Sequence, residues 1–83
     1  MHKDWHEKAW DDYLYWQTQD KKTVRKINAL IKSIERGERL GKMERLKDGY
    51  SSWLSTRIDQ SNRLIFKVAD DVLIIASCRG QYS

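Results

Sequence analysis

Eighty-three residues suit a single domain, 1–83, and leave little room for a second. A formal net charge of +4, from 16 Lys and Arg against 12 Asp and Glu, is compatible with a nucleic-acid or acidic-protein partner but proves neither. Cys78 stands alone, which excludes an internal disulfide and suits a reducing cytosol. No apolar signal region opens "MHKDWHEKAW", and no stretch approaches the ~18 apolar residues of a membrane span. A soluble, cytoplasmic protein without a membrane partner is therefore expected.

From Ala9 to Trp16, the residues Ala9, Trp10, Tyr13, Leu14 and Trp16 recur at helical intervals. A stronger stripe follows in "KKTVRKINALIKSIER", where Val24, Ile27, Leu30, Ile31 and Ile34 share one face. Gly37 is placed to end that helix, and the short break at "TQDKK" predicts a helical hairpin. After Gly41 the period becomes two. Leu54, Thr56 and Ile58 alternate with Trp53, Ser55 and Arg57; Leu64, Phe66 and Val68 alternate with Arg63, Ile65 and Lys67. The run "DVLIIASC" is apolar on both faces, as a central strand is, and ends at Cys78, which reads as a buried, inert thiol. The connections "DQSN" and "ADD" are short enough for hairpins, so these three strands should be antiparallel neighbours. A brief strand near residues 1–5 is expected at the sheet edge. The fold class is α+β, with an N-terminal helical hairpin on one face of a small, mostly antiparallel twisted sheet.

If Leu54, Ile58, Leu64, Phe66 and Val68 face the helices, then Arg57, Arg63 and Lys67 project from the other face. Arg79 is expected to join them, and "KMERLKDG" adds Lys42, Glu44, Arg45 and Lys47 nearby. Clustered cations beside Trp53 and Tyr82 fit a solvated sheet face. They equally fit single-stranded RNA, which asks for guanidinium groups on phosphates and rings under bases.

The blocks "WDDYLYWQTQDKKTVRKINALIKSI", "GKMERLK", "WLSTRI", "NRLIFKV" and "CRGQY" resemble the YoeB/Txe toxins of the RelE superfamily, and the likeness spans nearly the whole chain. That resemblance implies the toxin of a bacterial toxin–antitoxin module. It further implies a ribosome-dependent endoribonuclease that cuts mRNA in the decoding site and inhibits translation. Its implied partners are a YefM/Axe-like antitoxin, the ribosome and mRNA, a second copy in a homodimer, and operator DNA only through the antitoxin complex. No cofactor or metal is implied; His2 and His6, with no third ligand, read as surface residues.

Family members carry a proposed general base in a "GKPEPLK" loop, which corresponds here to Glu44 in "GKMERLK". The arginine of "HRL" is matched by Arg63, that ending "WSRRI" by Arg57, and the terminal His-Tyr pair by Gln81 and Tyr82. The resemblance therefore implies a catalytic set of Glu44, Arg63, Gln81 and Tyr82, with Arg57, Lys42, Lys47 and Arg79 on phosphate. A carboxylate takes the proton from a ribose 2′-OH, and arginines hold the charge gathering on the phosphoryl oxygens. Three departures stand out. Gln81 has no titratable proton. Met43 and Arg45 replace loop prolines, and Thr56 replaces an arginine. A second expectation follows from Gln81: a toxin scaffold with weakened or no catalysis, serving as antitoxin partner or co-repressor.

Overall fold

The computed structural model describes residues 1–38, 43–45 and 53–80, with Glu44 and Arg45 described at the backbone alone. The chain runs β1 (His2–Trp5), α1 (Glu7–Gln19), α2 (Lys21–Glu35), β2 (Met43–Arg45), β3 (Leu54–Arg57), β4 (Arg63–Ala69) and β5 (Val72–Ser77). The five strands form one sheet in the order β1-β5-β4-β3-β2, parallel at β1–β5 and antiparallel elsewhere. The two helices pack on one face. This is the α+β architecture expected from the sequence, with the N-terminal strand at the sheet edge.

The hairpin of helices turns on a single residue. Asp20 leaves helical geometry, and its carboxylate accepts from the Lys22 N–H at 3.0 Å and the Thr23 hydroxyl at 2.9 Å, capping α2. The Thr23 bond, with help from the Lys22 amide, holds the Asp20 carboxyl below the usual carboxylate range. At the far end Gly37 adopts φ 72°, its N–H bonds Ile34 O, and the Glu38 N–H bonds Ser33 O. Those two bonds satisfy carbonyls that the helix leaves open, and only glycine adopts this backbone shape without strain.

The core lies between helices and sheet. Ile27 of α2, Leu64 and Phe66 of β4, and Leu73 and Ile75 of β5 are each 1% exposed or less. Each such side chain contributes about 1.5–3 kcal/mol relative to leaving it in water.

Four details differ from the sequence expectation. α1 buries Ala9 and Asp12 and packs Tyr13 and Trp16 on the core, whereas Trp10 and Leu14 stay exposed. With aromatics on most sides of α1, periodicity does not single out the inward face. Val68 is exposed, as are Ala69 and the turn that follows. β5 is internal but not central; β4 holds the middle position. β2 pairs with β3 through only three residues, too short a run to display a period.

Candidate active site

Arg57 and Arg63 are partners in the β3–β4 ladder. Side chains of an antiparallel pair leave on the same face with Cβ atoms about 4.5–5.5 Å apart, so two like charges are held side by side. Arg57 is exposed and Arg63 half-buried. The Arg63 Nε–H donates to the hydroxyl of Ser55, itself buried on β3 two residues before Arg57. That bond fixes the plane of the guanidinium. Among the residues described with their side chains, no carboxylate pairs with either arginine.

Ser55 has a second role in the register, because its ladder partner on β2 is Glu44. Met43, the preceding residue, packs against the core. The residue opposite Glu44 is thus the one that Arg63 grips. Lys42, Lys47, Gln81 and Tyr82 lie outside the described residues.

The terminal segment is led to the same place. The Arg63 N–H donates to Gly80 O at 2.9 Å, and the Gly80 N–H donates to Asn62 Oδ1 at 2.9 Å. Asn62 in turn is set by the Asp59 carboxylate, which receives the Ser61 and Asn62 N–H groups at 2.8 Å each. Further along β4, Lys67 Nζ sits 4.5 Å above the Trp53 ring, and His6 meets that ring edge-on at 5.5 Å.

These elements can be compared with known proteins. A family model described as the YoeB-like toxin of bacterial type II toxin–antitoxin systems matches residues 5–82. The chain belongs to the YoeB toxin family. It is 51% identical to toxin YoeB of Escherichia coli K12 over 80 residues, covering 94% of this chain and 95% of that one. Toxin YoeB of Synechocystis is 45% identical over 78 residues, 92% of this chain and 91% of that one. Among solved structures, a YoeB dimer from Staphylococcus aureus superposes with a TM-score of 0.91 at 41% identity, covering 99% of this chain and 98% of its own. A YoeB–YefM complex from the same organism gives 0.89 at 40% identity, with the same coverage.

In this YoeB-family chain the structure brings Arg57, Arg63 and the Glu44 position together on neighbouring strands. Arg79 goes elsewhere. Its guanidinium stacks 3.6 Å from the centroid of the Tyr15 ring on α1, so it is held against the helical hairpin. Beyond Ser77 the strand ends and alternation no longer dictates direction, and a cation over an aromatic face then decides it. The Cys78 thiol is buried, and burial followed by the nearby Asp12 charge pushes it up from 9.0 to about 12. It stays protonated at neutral pH and is no nucleophile, as its apolar strand suggested.

Sequence reasoning missed Ser55, Asn62 and Asp12. Ser55 alternates in step with Arg57 and so was visible as a neighbour on that face. Nothing local marks the bonds of Asn62 to Gly80 and of Asp12 to Cys78, which span 18 and 66 residues.

Proposed function

We propose that this toxin is a metal-independent, ribosome-dependent endoribonuclease that cuts mRNA in the decoding site. The observation that carries the reading is the direct opposition of Arg57 and Arg63. Like charges facing each other across a ladder cost stability, and an RNA phosphate between them removes that cost. Ser55 holds the Arg63 fork in a fixed plane, which suits bidentate contact to phosphoryl oxygens.

In this mechanism the Glu44 carboxylate takes the proton from the ribose 2′-OH. The 2′-oxygen attacks the adjacent phosphorus, and the bond to the 5′-oxygen breaks. Arg63 and Arg57 stabilise the charge on the non-bridging oxygens. Lys42 and Lys47 add phosphate contacts, and Tyr82 orients a base. Gln81 hydrogen-bonds the leaving oxygen, whose proton comes from water or another group, since an amide has none to give. The products carry a 2′,3′-cyclic phosphate and a 5′-OH. A YefM-type antitoxin covers this face and silences it, and the toxin pairs with a second copy; the YoeB–YefM complex and the YoeB dimer of Staphylococcus aureus support these two partner classes. Operator DNA is reached only through the antitoxin complex.

The test is single-turnover cleavage of ribosome-bound message by the wild-type chain, Glu44→Ala and Arg63→Ala. Loss of one charge-stabilising donor should slow Arg63→Ala by about 10²–10³-fold. Equal rates for wild type and Arg63→Ala overturn the assignment. Gln81 supports a second reading, an antitoxin-binding co-repressor without catalysis. It stands if neither this chain nor Gln81→His cuts ribosome-bound message.

A further inference from the structure

Residues 78–80 follow the last strand, yet their backbone is bonded on two sides. On one side stands α1. Asp12 Oδ2, on a residue 6% exposed, accepts from the Cys78 N–H at 3.0 Å and from Lys8 Nζ at 2.9 Å, with the Ser77 hydroxyl at 3.2 Å. One turn on, Trp16 Nε1–H donates to Cys78 O at 2.9 Å. Both backbone polar groups of Cys78 therefore belong to α1. On the other side stand Asn62 and Arg63, which take the N–H and the carbonyl of Gly80. Between them, Lys8 Nζ reaches Arg79 O at 3.4 Å, while the Arg79 side chain lies on Tyr15.

A segment near a chain end frays unless it is tied down. Burying an ionised carboxylate is also unfavourable unless its oxygens are fully engaged. Oδ2 of Asp12 is engaged in that way by this segment together with its helix neighbour Lys8. Consecutive Cα atoms are about 3.8 Å apart, so fixing Gly80 confines where the next residue starts.

We infer that Asp12 and Asn62 are positioning residues, a two-sided clamp that fixes residues 78–80, and with them Gly80 beside Arg63, ahead of the Gln81-Tyr82 pair in sequence. The role in cleavage rests on the ribonuclease reading; the holding of residues 78–80 does not. The clamp links the "WDDYLYW" helix, distant in sequence, to residues 77–80.

Two readouts test it: amide hydrogen exchange at Cys78, Gly80, Leu73 and Ile75, and single-turnover cleavage across a ribosome titration. Asp12→Asn should speed exchange at Cys78 and Gly80 while Leu73 and Ile75 keep their protection. Its maximal cleavage rate should fall by up to about a hundredfold, the order expected when a reacting group is misplaced by about 1 Å. The half-saturating ribosome concentration should hold, a split that general destabilisation would not give. Asn62→Ala should free Gly80 and slow cleavage, and Asp59→Ala, which removes the carboxylate that orients the Asn62 amide, should do the same to a smaller extent. Should Asp12→Asn lose core protection, Asn62→Ala decides alone, with exchange at Leu73 and Ile75 as its control. Unchanged exchange at Cys78 and Gly80, or faster exchange with undiminished cleavage, overturns the clamp. If the wild-type chain does not cut message, the ribonuclease reading and the positioning role both fall, and exchange alone decides whether Asp12 and Asn62 hold the segment.

Discussion

Arg57 faces Arg63 across the β3–β4 ladder, with Ser55 gripping one of the two. Such a pair works against folding and in favour of an anionic ligand, so the two properties should separate on mutation. Arg57→Glu should raise stability by about 0.2–1 kcal/mol, the scale of a cross-strand charge pair, while lowering cleavage. Denaturant melts at low and high salt check this, because the gain should shrink as salt screens the exposed partner. A less stable Arg57→Glu protein would mean that the two arginines do not repel.

Gln81 offers a test of the acid step. A general acid contributes about 10²–10⁴-fold, so Gln81→His should raise single-turnover cleavage within that range and add a pH dependence near neutrality. Ribosome affinity should hardly move. A change below about threefold, far under the general-acid range, would show that the side chain at 81 does not deliver the proton.

Lys67 lies four residues from Arg63 on the same strand, roughly 13 Å at strand rise. It sits over the Trp53 ring, which His6 meets edge-on, on the sheet face away from the helices. If RNA follows β4, Lys67→Ala should weaken ribosome binding and reduce the slope of log K against log salt by about 0.7–0.9, one phosphate contact. Its maximal cleavage rate should stay near wild type. An unchanged salt slope removes Lys67 from the RNA path.

Cys78 makes a prediction in alkali. Its folded value of about 12 lies above the ordinary 9.0, so the folded state binds the proton more tightly. The stability this contributes is complete below pH 9 and is lost as pH rises towards 12. Alkylation of the native protein at pH 8 should therefore be slow and should track opening of the fold, rising with added denaturant. Rapid labelling without denaturant would contradict the burial.

Much of this fold can be read along the chain, and the reasons are local. The α2 stripe, the Gly37 stop and the alternation of β3 and β4 each follow from periods of three to four or two. The same alternation puts Arg57 and Arg63 on one face without any structure. Other parts depend on partners far away in sequence. Asp12 looks like a surface acid until Cys78 and Ser77 are folded onto it, and β2 is a strand only because β3 is there to pair with. Arg79 misled for the related reason that alternation stops where β5 stops.

The parallel pairing of β1 with β5 sets His2 beside Val72 and Trp5 beside Ile75. Residues 2–5 thus acquire their strand neighbour only when residues 72–75 pair with them, and Asp12 on α1 likewise waits for Ser77 and Cys78. Contacts of such long sequence separation form late and make folding slow. A chain still being translated can build its helical hairpin, but it has no finished sheet and no clamp until residues 72–80 are free to dock. Residues 78–80 thereby lie unclamped, and Arg63 lacks its bond to Gly80, until β5 has paired.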